Sequence, residues 1–131
     1  MDVFNRDRDV LPFTTKDGST IREILAPGNA PRTIRNQSLA EATLAPGRAT
    51  ASHYHRATEE IYYLLQGTGE MRIGVEMRRI GPGDAVAIMP GAPHQIVNVG
   101  ETDLVFLCCC APPYTHEDTI LVSNVSAPPA A

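Results

Sequence analysis

Short apolar runs, each closed off by glycine or proline, repeat along the chain, and none has the spacing of an amphipathic helix. Strands are predicted at residues 20–25, 38–44, 51–55, 60–66, 69–73, 77–80, 84–89, 94–99, 103–110 and 119–123. Pro46-Gly47, Pro82-Gly83 and Pro90-Gly91 read as turns, and the stretch from Pro27 to Pro31 as a loop. This rhythm belongs to an all-β sandwich or barrel. Residues 1–19 are polar and expected to be partly ordered, residues 20–124 form one domain, and the Ala-Pro-rich segment 125–131 is expected to be disordered. No repeat, second domain or helix-turn-helix pattern is evident.

Two strands are apolar on both sides. Along 60–66, Glu60, Tyr62 and Leu64 share one face while Ile61, Tyr63 and Leu65 share the other. Along 103–110, Leu104, Val105, Phe106 and Leu107 behave likewise. One face can line a barrel; the other needs cover from a second layer or another subunit. A homodimer or a swapped terminal strand is the expectation, with a thick single core as the competing explanation.

Composition narrows the partners. Apolar residues make up 43% of the 131 residues, enough for a folded core, and the net charge is -4. Arg78-Arg79 is the only adjacent basic pair, so no nucleic-acid partner is expected. The first residues are charged and lack the apolar core of a secretory signal, and no run is long enough for a membrane span. The only cysteines are the consecutive Cys108, Cys109 and Cys110, which form no disulfide framework. A reduced, cytoplasmic protein is expected. Alternate strand residues point to opposite sides, so at most Cys108 and Cys110 converge, and inert core thiols are the default.

The chemistry concentrates in four residues. His53 and His55, two apart on a strand, point to the same side and can reach one ion. Glu60 follows after a turn, and His94 comes directly after Met89-Pro90-Gly91-Ala92-Pro93. Three imidazoles and a carboxylate suit one divalent transition metal, whether Fe, Mn, Ni, Co, Cu or Zn. A His pair alone is as easily a surface or core feature. The combined spacing from His53 to Gly67 arises by chance in on the order of one such chain in a thousand. Glu59 is the rival carboxylate, but on this strand it faces away from the Glu60 side.

Gly47-x5-His53-x-His55-x4-Glu60-x6-Gly67 resembles the first cupin motif, and Gly83-x5-Met89-x-Gly91-x2-His94-x3-Asn98 resembles the second. Met89 stands where that family usually has proline, with Pro90 directly after it. The resemblance spans about residues 38 to 110. It implies a double-stranded β-helix, or jelly-roll barrel, commonly dimeric, with His53, His55, Glu60 and His94 around an ion that keeps one or two positions open.

Pocket candidates follow from strand parity: Tyr62, Leu64, Ile96 and Asn98, with Met71 and Ile73 from the neighbouring hairpin. Asn98 more naturally buttresses its turn. Tyr62 is either a hydrogen-bond or proton donor or an aromatic wall, and His116 lies in a loop from which it could cap a barrel mouth as a general base. Gln37 has no fixed direction. A mainly apolar pocket with no Lys candidate, and with its only plausible Arg candidates on the outer hairpin, disfavours sugar phosphates and suits a small, weakly polar oxygenated molecule such as a phenolic, diketone or polyketide. Cupins include dioxygenases, isomerases, cyclases and lyases, and the fold does not choose among them. A metal-dependent enzyme, oxidative or not, is the first expectation; a non-catalytic small-molecule binding or sensing module is the second.

Overall fold

The computed structural model describes residues 1–28 and 33–122. Its strands form two antiparallel sheets. The first runs in the order β1 (Phe13–Thr14), β2 (Thr20–Leu25), β3 (Ser38–Leu44), β10 (Leu104–Ala111), β5 (Glu59–Gln66) and β8 (Ala85–Ile88). The second runs β11 (Thr119–Leu121), β4 (His53–His55), β9 (His94–Asn98), β6 (Gly69–Ile73) and β7 (Glu76–Ile80). From β3 onward the chain passes back and forth between the sheets, which is the jelly-roll path of a double-stranded β-helix. The all-β cupin-type architecture expected from the sequence is therefore the one observed.

Period-two patterning builds the core. In β10, Leu104, Phe106, Cys108 and Cys110 are buried while their neighbours are half-exposed. In β5, Glu60, Tyr62 and Leu64 turn inward. Of these, Leu104, Phe106, Cys108, Tyr62 and Leu64 meet Ala42, Leu44, Met71, Ile80, Ile88 and Ile96 in one cluster. The opposite faces do not find cover among the described residues: Ile61, Tyr63 and Leu65 remain 49%, 42% and 44% exposed.

Most strand limits fall within a residue or two of expectation, and the exceptions have visible causes. Residues 51–52 leave the ladder because Ala51 N–H donates to the Asp17 carbonyl instead (2.7 Å). Asp84 is taken up by the turn before β8, where its carboxylate accepts from Gly81 N–H (2.8 Å). The short β1 was not anticipated at all. Ser123, the tail 125–131 and residues 29–31 of the expected loop lie outside the described residues.

Two motif glycines have structural reasons. Gly67 has φ +88°, and a Cβ there would stand 2.8 Å from the Asp103 carbonyl oxygen. Gly91 has φ +81°, and its N–H donates to the His55 carbonyl (2.7 Å), tying the turn before β9 to β4. Asn98 is the buttress the sequence implied. Its amide donates to the carbonyls of Leu44 (2.9 Å) and Thr102 (2.8 Å) and accepts from Gly100 N–H (2.9 Å).

Candidate metal centre

His53 and His55 project from β4, His94 from the β9 position directly opposite His53, and Glu60 from the start of β5. All four are buried. One ring nitrogen from each histidine falls within 4.8 Å of the other two.

Backbone and hydroxyl partners fix the tautomers. His53 Nδ1 is 2.8 Å from the Ala51 carbonyl and His94 Nδ1 is 2.9 Å from the Ala92 carbonyl. A carbonyl only accepts, so both Nδ1 atoms carry the proton. His55 Nδ1 lies 3.0 Å from Thr119 Oγ1, whose own hydrogen goes to the Thr115 carbonyl (3.0 Å), so here too Nδ1 donates. Three Nε2 lone pairs are thereby turned toward a common centre. His94 Nε2 is buried without a hydrogen-bond partner. His55 Nε2 stands 3.2 Å and His94 Nε2 3.6 Å from the same oxygen, Glu60 Oε1. Lone pairs facing a carboxylate need a cation between them, either a proton or a metal ion. The donor set therefore fits a divalent metal.

The electrostatics follow from burial. Burial lowers the His53 pKa, and the neighbouring His94 lowers it further, to about 4. Burial pushes the Glu60 carboxyl up, but the imidazoles of His55 and His94 outweigh it and bring it down to about 2. Burial raises the Tyr62 phenol and the Cys108 and Cys110 thiols, with the Glu60 charge adding to each, so all three stay protonated donors.

A small cavity of about 40 Å³ opens beside the centre, lined in part by His53, His55, Glu60, Tyr62 and Tyr114. It has room for about one water molecule. Its wall is mainly apolar, as expected, with Asp17, Glu23, Thr15, Ser19 and Ser38 adding polar groups to it. Among the described residues, no Lys or Arg lines it. Tyr114 and Glu23 also border an outer depression of about 440 Å³, so they stand between the inner cavity and that opening.

The other sequence candidates divide. Tyr62 is on the cavity wall, packed on Phe106 at 4.6 Å between ring centroids and 6.0 Å from the His94 ring. His116 is exposed in the turn before β11 and is not among the cavity residues. Gln37 is exposed, and its neighbour Ser38 lines the cavity instead. Glu59 faces outward. Met71 and Ile73 border a different groove, of about 530 Å³ between β7 and β8, which contains none of the four candidates. Cys108 and Cys110 converge on the cavity, and the Cys110 thiol donates to Glu60 Oε2 (3.2 Å).

Four participants were not legible as such. Thr119 sets the His55 tautomer, Tyr114 meets the His55 ring edge-on at 6.0 Å, Cys110 holds Glu60, and Asp17 lies 3.6 Å from His53. Asp17-Gly18 is a recognisable turn signal, but nothing in its local sequence says where that turn docks.

Comparison with known proteins agrees with this geometry. The chain is 47% identical over 110 residues to the uncharacterized protein MJ1618 of Methanocaldococcus jannaschii, covering 84% of this chain and 86% of that one. It is 31% identical over 125 residues to the tetracenomycin polyketide synthase protein TcmJ of Streptomyces glaucescens, covering 92% and 82%. Among solved structures, the polyketide cyclase RemF of Streptomyces resistomycificus superposes with a TM-score of 0.74 at 23% identity, covering 94% of this chain and 86% of that one. This last likeness speaks to the fold alone. The family model for the Cupin domain matches residues 40–110, more than half the chain and both motifs, and with that match the chain belongs to the cupin family.

Proposed function

We propose that this cupin is a metal-dependent enzyme acting on a small, weakly polar oxygenated substrate, with His53, His55, Glu60 and His94 holding one divalent transition metal. The observation that carries this reading is the set of three Nδ1-protonated imidazoles whose Nε2 atoms converge, His94 Nε2 having no other partner. When bound, such an ion supplies Lewis-acid polarisation of a substrate oxygen. The chain's own residues do the rest. Tyr62, kept protonated by burial, offers a hydrogen bond from the wall. Tyr114 controls passage from the outer depression. Among the described residues no Lys or Arg lines the cavity, which disfavours phosphate-bearing substrates.

Non-redox chemistry of the cyclase, isomerase or lyase kind is preferred over dioxygenation. The likeness to TcmJ, a polyketide synthase protein, supports a carbonyl-rich substrate. A second reading, a non-catalytic binding or sensing module, is favoured by one observation: the inner cavity of about 40 Å³ holds little beyond water. We place the protein in a reducing cytoplasm, consistent with its three free thiols, and as a homodimer through the exposed face of β5.

Metal analysis of the purified protein, with turnover of a panel of phenolics, diketones and polyketides under air and under argon, tests this. The expected result is near-stoichiometric metal and oxygen-independent turnover. Iron with oxygen consumption would move the assignment to a dioxygenase, and tight ligand binding without turnover would favour the sensor. Full metal content in both His53→Ala and His94→Ala would refute the ligand assignment.

A further inference from the structure

The turn Thr15-Lys16-Asp17-Gly18-Ser19 is fastened over the centre from several sides. Its own backbone closes with Thr15 N–H donating to the Ser19 carbonyl and Gly18 N–H to the Thr15 carbonyl, both at 3.0 Å. The Asp17 carbonyl accepts from Ala51 N–H (2.7 Å), two residues before His53. Lys16 Nζ donates to the carbonyls of Thr119 (2.8 Å) and His116 (3.2 Å), reaching β11, whose Thr119 orients the His55 ring.

Within this turn the two oxygens of Asp17 have different surroundings. Oδ1 accepts from Thr15 Oγ1 (2.7 Å), Ser19 N–H (2.9 Å) and Ser19 Oγ (2.6 Å), which satisfies the needs of the turn. An asparagine would serve that purpose equally. Oδ2 is surplus to it and stands 3.6 Å from His53 Nε2, too far for a hydrogen bond. It is within the separation expected of two donors on one ion: bonds of about 2.0–2.2 Å put neighbouring donors about 2.8–3.1 Å apart at right angles and about 3.3–3.8 Å apart at the 110–120° angles of four- and five-coordinate ions. Glu60 Oε1 keeps the same spacing from His94, 3.6 Å, and 3.2 Å from His55. Glu60 thus serves His55 and His94 while Asp17 serves His53. Independently of either carboxylate, the buried, unpartnered His94 Nε2 points to a cation at this place.

We propose that Asp17 is a fifth protein donor to the metal, through Oδ2, so that the centre is built from three imidazoles and two carboxylates. Two carboxylates balance a divalent charge in a buried site and shift selection toward harder ions such as Mn or Fe. The inference rests on the metal-centre assignment above.

Cobalt(II) alone, added to chelator-stripped full-length protein, separates the two. Affinity is read by competition with a chromogenic chelator, and coordination number by the visible ligand-field bands. Asp17→Asn keeps an oxygen for the three hydrogen bonds of the turn, so its metal-free melting temperature should match that of the unsubstituted protein. Its cobalt affinity should fall about 10–100-fold, and its bands should move to those of a lower coordination number. Thr15→Val, which loosens the turn but keeps the charge, should retain both. Unchanged affinity and spectrum in Asp17→Asn, while His53→Ala and His94→Ala lose the ion, would overturn this proposal and leave the metal centre standing. So would an equal loss in Thr15→Val, which would make the effect one of turn geometry. If the unsubstituted protein takes up no cobalt, both readings fall together.

Discussion

At the scale of single residues, the centre trades folding stability for a pre-formed ligand set. Free histidine titrates near 6.5, whereas burial and the proximity of His94 hold His53 down to about 4. Between these values the unfolded chain takes a proton that the folded chain refuses, so this contribution is complete above pH 6.5 and is lost as pH falls toward 4. Glu60, held at about 2 against an ordinary 4.5, contributes stability that is lost only from pH 4.5 downward. The two windows barely overlap. Urea denaturation of metal-stripped protein should therefore lose about 2 kcal/mol between pH 7 and pH 5 through His53. In His53→Asn that slope should flatten, and an equal slope in the variant would rule His53 out as its source.

At the scale of elements, the ligands depend on strands distant in sequence. β11 lies antiparallel to β4 with Thr119 opposite His55, which puts Thr119 Oγ1 against His55 Nδ1. Thr119→Val keeps the shape but removes the acceptor and strands a buried N–H, at a cost of about 1–3 kcal/mol. Metal affinity should drop about 10–100-fold, measured by chelator competition, because the ring is no longer oriented. Unchanged affinity would mean that β4 alone sets the ring. The segment joining β10 to β11 carries Tyr114 across the mouth of the site. Tyr114→Ala should join the inner cavity to the outer depression. An apolar fluorescent probe that the unsubstituted protein excludes should then bind, and its continued exclusion would place the entrance elsewhere.

At the scale of the whole molecule, the first sheet has a finished inner face and an unfinished outer one. Ile61 and Tyr63 of β5 lie opposite Cys109 and Leu107 of β10 and opposite Ala87 and Ala85 of β8. Side chains paired in this way form a continuous apolar surface rather than scattered exposed residues. A second copy of the chain would cover it. Light scattering at micromolar concentration should give twice the mass of one chain, and Tyr63→Glu, which places a charge at the middle of the patch, should give a single chain with its metal content intact. A monomeric unsubstituted protein would defeat this arrangement.

The sequence by itself determined every strand but the short β1, and the facing of their side chains, because strand alternation and glycine-proline punctuation are local properties. The His-x-His pair, the buried side of Glu60, the outward Glu59, the inward Cys108 and Cys110 and the Asn98 buttress could all be read that way. So could the apolar outer face of β5. The convergence of His53, His55, Glu60 and His94 was legible only as a spacing pattern. Tertiary structure decided which distant segments complete the site. The Thr15–Ser19 turn, Tyr114 and Thr119 reach it through the sheet order and through contacts such as Ala51 with Asp17 and Lys16 with Thr119, across about 35 and 100 residues of chain. Their local sequences are those of ordinary turns and strand ends. Closing the barrel brings Asp17 to His53 and sets carboxylates and hydroxyls into the mainly apolar wall of the pocket. Side-chain direction is set by the residue and its neighbours, whereas proximity across the barrel exists only once both sheets have packed.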